Sequence, residues 1–352
     1  MQNPFVNPAF NATSLSAAIN LIPNRYGRIG ELGIFGEPKG VATTTVTIEE
    51  NNGVLTLLPT QVRGGPSTLA TRGKRKRRTF DIPYIPYDDH ASPTDIQNLI
   101  AFGTENTMET MSAWVNDLLA NMRMRHDQTL EWHRMGSLKG QLLDADGSSV
   151  IYNWYNEFGI SKVTSYGGPA ANVGKYLELD LLLGTSNTNV VQLLWNVSRH
   201  IEDNLQGETY RGVRALVSQS LFDKLVTHPN IVKIYQNWAA AQDKLGGDIR
   251  KGFTVGGITF EEYRATNIGS DGTSHAYIAD GYGQAFPEGT TQTFRTFAGP
   301  ADFNESVNKL GQLYYAKIEE AKFGRGWDIH TQMNPLVMCM RPSVLVTLKT
   351  SN

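Results

Sequence analysis

The chain has 352 residues, 40% of them hydrophobic, with a formal net charge of −2 and a single cysteine, Cys339. This composition supports a folded core and argues against wholesale disorder. One cysteine excludes an internal disulfide and a cysteine-cluster metal site, no run of roughly 18 or more apolar residues offers a membrane-spanning helix, and the N-terminal stretch lacks the basic and apolar regions of a secretory signal. The cysteine usage fits folding in a reducing cytoplasm.

Residues 1–40 are rich in Asn, Pro and Gly. Residues 8–23 predict one short helix, and the glycine-punctuated remainder predicts an extended N-terminal arm. Residues 41–91 then read as a long β arm. Val46, Ile48, Val54, Leu55, Leu57 and Leu58 supply its apolar positions. Asn52-Gly53 is a two-residue hairpin signal, and residues 64–73 suit the tip. The arm carries six positive charges, on Arg72, Lys74, Arg75, Lys76, Arg77 and Arg78. With these six set aside from the overall −2, the rest of the chain carries −8. Such segregation suits self-association, the arm of one copy on the acidic surface of another. It also suits nucleic-acid contact, or a solvated loop that binds nothing specific. An isolated hairpin is marginal in water, so an arm of this length predicts a neighbouring molecule to lie against. Pro83 and Pro86 place the return strand at an edge. Phe80, Tyr84 and Tyr87 read as anchors of the arm's root.

Ser92-Pro93-Thr94-Asp95 opens a helix, with serine at the cap, proline at the first helical position and an acid in the first turn. Apolar residues from Ile96 to Met122 recur at three-to-four spacing, and the pattern fades towards Met135. This predicts a spine helix over 94–135, bent near Gly103, whose methionines pack. Residues 142–158 predict a hairpin turning at Asp144–Gly147, and 187–204 an amphipathic helix. Strands are predicted at 213–217 and 276–279, helices at 220–226 and 231–241, a hairpin at 253–264 around Gly256-Gly257, and β structure at 313–322 and 336–348. The fold class is α+β.

Catalytic signatures are missing. The nearest phosphate-loop match, Gly168–Tyr176, has one residue too many and lacks the hydroxyl that would hold magnesium. The Asp144–Gly147 run places its glycine too early for a calcium loop, and Tyr155 stands where the bidentate glutamate belongs. His126 and His133 share a helix face without a third ligand in sequence, so they read as packed or exposed helix residues. Glu261-Glu262 and Glu319-Glu320 read as solvated surface. No aromatic residue alternates with the basic cluster, as single-strand nucleic-acid binders require. The expectation is no enzyme, no cofactor and no metal.

Three segments carry a resemblance: FDIPYIPYDDHASPTDIQ at 80–97, GGITFEEYRA at 256–265, and NKLGQLYYAKIEEAKFGRGWDIHTQMNPLVMCMRPSVLV at 308–346. With the order of parts, they resemble the major capsid proteins of tailed bacteriophages with the HK97-type fold, and more closely the lambda-type capsid protein E family. The resemblance implies an N-terminal arm (1–40), an E-loop lying over an adjacent subunit (41–91), a P-domain with the spine helix (92–184), an A-domain (185–287), P-domain return strands (288–335) and a C-terminal A-domain segment (336–352). It implies a protein that self-assembles into hexamers and pentamers of an icosahedral shell around double-stranded DNA, which it touches without sequence specificity. It implies a virion component made and assembled in the host bacterial cytoplasm, with a separate scaffolding protein, a portal and a decoration protein as partners and no membrane. The basic run 72–78 has no counterpart in the family pattern. On charge alone it is the candidate inter-subunit contact, with Arg75, Arg77 and Arg78 as ion-pair donors, and the alternative is a nucleic-acid-binding protein that uses the same run.

Overall fold

The computed structural model describes residues 27–51, 75–96, 111–160, 164–165, 178–236 and 249–350. The expected helix at 8–23, the Asn52-Gly53 turn, the arm tip and the bend at Gly103 lie outside these residues.

A seven-stranded sheet organises one half of the described chain. An inner strand, Gly212–Val217, runs parallel to Ile258–Glu262 and antiparallel to the central strand, Tyr282–Glu288. Ala215, Leu216 and Val217 are fully buried, as a strand covered on both faces requires. The helix Val190–Leu205 packs with this sheet, burying Val190, Leu193, Leu194, Val197, Ile201 and Leu205 at helical spacing. Asn189 caps its start by accepting from Gln192 N. Two shorter helices follow, Gln219–Thr227, capped by Ser218, and Pro229–Gln236. The hairpin Phe253–Val255/Ile258–Glu262 turns at Gly256 and Gly257, both with positive φ, as a tight two-residue hairpin demands. A Cβ on Gly256 would stand 2.7 Å from Leu194 Cβ, so the glycine also lets the hairpin seat on the helix.

The spine helix spans Met111–Leu138, roughly 42 Å at 1.5 Å per residue. A single turn, Pro93–Ile96, precedes it. Its last turns are buried all round, from Leu130 to Leu138. Polar groups there need partners. Glu131 accepts the backbone N–H of Ile29 at 2.7 Å and of Gly30 at 3.1 Å, and the Tyr263 hydroxyl at 3.3 Å. Burial holds its carboxyl above the ordinary carboxylate range, and the two N–H groups and Arg134 oppose that shift. His126 Nε2 lies 3.0 Å from Thr331 Oγ1, which donates to the Tyr87 carbonyl at 3.0 Å. The hydroxyl therefore accepts from the ring, which places the proton on Nε2. His126 and His133 are packed inside the protein rather than exposed.

Beside the spine helix lies a three-stranded antiparallel sheet of Tyr314–Glu320, Trp327–Met333 and Ile85–Ala91. The sequence places 85–91 in the return strand of the arm. The structure instead ends the arm's ribbon at Asp81 and hands 85–91 to Trp327–Met333, where it forms an edge strand. The proline-based expectation of an edge position holds. Residues 141–153 form the expected hairpin, but Asn153 ends it by capping a short helix, Trp154–Phe158. The Asp146 carboxylate accepts from Ser148 N, Ser149 N and Ser149 Oγ, which makes the Asp144–Gly147 run a turn. Glu261 is buried, not solvated. It accepts from Arg28 at 2.5 and 3.1 Å and from Arg214 at 2.8 Å, tying the N-terminal segment to the seven-stranded sheet.

Two outcomes follow from this polar interior. Glu131→Ala strands two buried N–H groups and leaves Arg134 without its acid. It should cost about 3 kcal/mol in urea unfolding, and Glu131→Gln clearly less. Burial lowers the pKa of His126 and of His133 to about 4. The unfolded chain therefore binds the extra protons, and stability present above pH ~6.5 is lost as pH falls towards 4, by about 3 kcal/mol per histidine. Urea midpoints measured across that window should fall, and His133→Leu should remove about half of the slope.

Candidate assembly surface

The arm's described part is a two-stranded ribbon, Thr45–Asn51 against Arg75–Asp81. Its β-rich composition favours strand, and alternation gives it two different faces. At the root, Val46 pairs with Phe80, and both are buried. Phe80 meets Tyr152 and Trp154 edge-on, each with ring centroids 5.7 Å away, and Tyr152 stacks on Trp154 at 5.2 Å. Aromatic pairs at these spacings add about 0.5–1.5 kcal/mol each beyond their buried area. The Tyr152 hydroxyl accepts from Asp81 N at 2.8 Å and donates to Asp81 O at 3.0 Å. The ribbon root is thus clamped to the 150–158 segment. Of the three aromatics expected to anchor the arm's root only Phe80 does so: Tyr87 packs against the core from the Ile85–Ala91 strand, beside His126 of the spine helix, and Tyr84 is exposed. Tyr152 and Trp154 were missed from sequence. The signal was present in the aromatic density of Tyr152, Trp154, Tyr155 and Phe158, but nothing in the sequence links it to Phe80.

Beyond the root the ribbon turns outward. Thr47, Glu49, Lys76, Arg77 and Thr79 are exposed. The basic residues do not act alike. Arg72 and Lys74 lie outside the described residues, and Arg75 is described only as strand backbone opposite Asn51. Lys76 stands opposite Glu50. Arg77 pairs with Glu49 across the ribbon at 2.7 Å, with both side chains exposed, a pair worth at most ~1 kcal/mol. Arg78 turns back into its own subunit. Its guanidinium donates to the carbonyls of Glu157 and Phe158 and lies over the Phe158 ring at 5.2 Å. Lys76 to Arg78 are strand residues on the ribbon's stem, not a loop at its tip.

Among the described residues no group of three or more His, Cys, Asp or Glu is arranged to hold a metal ion, and no helix is long and apolar enough to cross a membrane. Cys339 is fully buried, and burial pushes its thiol up to about 12. What the site offers is a rigid basic lever projecting from a clamped root.

Relatives carry the same arrangement of chain. The chain is 30% identical to the major capsid protein of Pseudomonas phage KPP10, covering 99% of each. It is 26% identical to the major capsid protein of Salmonella phage Felix O1, covering 97% of this chain and 96% of that one. A crystal structure of a prophage protein of E. coli CFT073, assigned as a capsid protein, superimposes with a TM-score of 0.60 at 12% identity, over 97% of this chain and 99% of that one. The fold is the α+β HK97-like capsid fold. Residues 11–350 match the family described as phage major capsid protein E, and the chain belongs to that family.

Proposed function

We propose that this capsid protein builds its shell by laying the ribbon of each copy on a neighbouring copy, in hexamers and pentamers of an icosahedral phage head around double-stranded DNA. The observation that carries the mode of contact is the ribbon itself. It has a clamped root, an exposed basic stem and no third strand among the described residues. A free two-stranded ribbon is marginally stable. Burial against a neighbour supplies the missing support, and a weak contact repeated through a closed shell sums to a stable assembly.

In this reading the E-loop is the 41–91 segment, its free part ending at Asp81. Residues 92–184 and 288–335 form the P-domain around the spine helix, and 185–287 with 336–352 the A-domain around the seven-stranded sheet. A separate scaffolding protein, a portal and a decoration protein complete the head. Packaged DNA touches the inner face without sequence specificity. Assembly takes place in the host bacterial cytoplasm.

The exposed charges carry the grip, and the aromatic root carries the posture. Arg75→Gln with Arg77→Gln should reduce shell yield roughly tenfold or more, since the lost contact recurs at every subunit. Circular dichroism of the subunit should stay unchanged. Negative-stain microscopy and sedimentation read the result, and normal shells would overturn the ribbon's role. Steep, salt-dependent DNA binding by the soluble subunit, lost in the same variant, would favour the nucleic-acid reading instead. Phe80→Ala should cost about 3–5 kcal/mol in subunit unfolding, a loss that the double arginine variant does not show.

A further inference from the structure

The three-stranded sheet carries a protruding ring at one end and a cavity at the other. Glu320, Trp327 and Ala91 stand in register at the first end, and Tyr314, Met333 and Ile85 at the second. Residues 321–326 close the hairpin at the first end. Ala321 N donates to Gly326 O at 2.9 Å, and Gly324 N to Ala321 O at 3.1 Å. Gly326, at φ +134°, sits so close to the edge strand that a Cβ would stand 2.1 Å from Ala91 O, which seats the turn firmly. The turn holds Phe323 out in solvent, 93% exposed, at φ +66°. For a bulky residue this is strained backbone, and strain of that kind collects where function needs a side chain displayed. Arg325 lies over the ring at 6.0 Å, and Lys322 is exposed beside it, with Glu320 behind them in the strand. The tip is thus an aromatic ring accompanied by two cations.

Just past Met333 and Ile85, at the second end, a cavity of about 380 Å³ opens to solvent. Ile82, Tyr84, Pro300 and Ala301 give it apolar walls, and Asp302 and Asn334 add polar groups. A cavity of this size accepts a ring-sized apolar group. Asn334 is 6% exposed. Its Nδ2 donates to the Pro300 carbonyl at 2.7 Å, whereas its Oδ1 has no hydrogen-bond partner among the described residues. An acceptor buried in this way has lost water without compensation and calls for a donor. Asp302 is exposed at the rim, and no cation is among the lining residues. Burial raises the pKa of the Tyr84 hydroxyl, and Asp302 and then Asp88 add to the shift, so the mouth of the cavity is negative.

We infer that the Phe323 tip of one copy enters this cavity on a second copy, with its ring against Ile82, Tyr84, Pro300 and Ala301 and its cations on Asp302 and Asn334 Oδ1. The two surfaces match in kind, a ring for apolar walls and donors for unanswered acceptors. Aromatic residues and arginine are enriched as interface anchors, and such anchors fill desolvated pockets. The contact cannot close within one subunit, because seven-residue strands hold tip and cavity roughly 20 Å apart at opposite ends of one sheet. It is therefore head to tail. Each copy gives a tip to one neighbour and receives a tip from another, and repetition about an axis closes a ring. This contact uses neither the basic stem of the ribbon nor its aromatic root, so it stands or falls apart from the ribbon's.

Phe323→Gly tests the ring in the full chain. Glycine adopts this backbone angle without strain, so the variant subunit should unfold in urea at or above the parent's midpoint. Shell yield, read by sedimentation and negative-stain microscopy, should fall about tenfold or more, because the lost contact recurs at every subunit. Disulfide trapping tests the receiver. Cys339 is buried, so introduced thiols react alone. Copies with Lys322→Cys are mixed with copies with Asp302→Cys and oxidised during assembly. Asp223→Cys, exposed on the helix Gln219–Thr227, replaces Asp302→Cys in the control. Non-reducing electrophoresis should show a 322–302 dimer at about ten times the control yield or more, since a disulfide needs its two Cα atoms close. Normal shells from Phe323→Gly overturn the contact. A 322–302 yield no higher than the control overturns the cavity as its receiver. Loss of shells on neutralising Arg75 and Arg77, with Phe323→Gly shells normal, sinks the tip contact and leaves the ribbon's standing, and the converse pattern spares the tip contact alone.

Discussion

The joint between Phe80 and the Tyr152–Trp154 stack is the constraint on which the ribbon depends. A two-stranded ribbon has no interior of its own, so its orientation is set at its root. Here the root is fixed by packed rings, by the Tyr152 hydroxyl, which accepts from Asp81 N and donates to Asp81 O, and by Arg78 on the carbonyls of Glu157 and Phe158. Ring packing is short-ranged and does not fade with salt. The joint therefore fixes the direction in which the ribbon leaves the body, and Arg78 belongs to it.

The spine helix shows a second way of using polar groups. Its last turns are buried on every side, and yet they contain Glu131, His133 and Arg134. Such groups add little net stability, but each demands a particular partner. Glu131 takes the first backbone donors of the turn at Ile29 and Gly30, so the N-terminal segment enters at one place. Glu261 does the same for Arg28 and Arg214 at the seven-stranded sheet. The points where the N-terminal segment meets the body are therefore fixed by hydrogen bonds that no slid or rotated packing would satisfy.

Local signals in the chain were legible. Gly256-Gly257 names its hairpin, and the apolar run at 213–217 forms a buried inner strand of the large sheet. The three segments that resemble capsid proteins pointed to the family that the relatives establish. Pairings across long separations were not legible. Ile85–Ala91 looks like a continuation of the ribbon because the two are contiguous, yet its partner lies some 240 residues away at Trp327–Met333. Nothing in the sequence states that pairing, because alternation marks a strand without naming its neighbour. Glu261 failed for a related reason. A carboxylate reads as solvated until its arginine or its N–H donors are placed, and those come from residues 28–30, far away in sequence. Arg78 was taken for a contact residue because charge patterning counts charges and cannot see a backbone carbonyl.

The fold treats its interior and surface carboxylates differently. Inside, Glu131, Glu261 and Glu208 are each met by several donors from the same chain. On the open sheet face, Glu319 is set against Asp328, which His90 Nδ1 meets at 2.7 Å. Opposed like charges cost a sheet some stability, and Lys317, 3.5 Å from Glu319 on the neighbouring row, offsets part of that cost within the subunit itself.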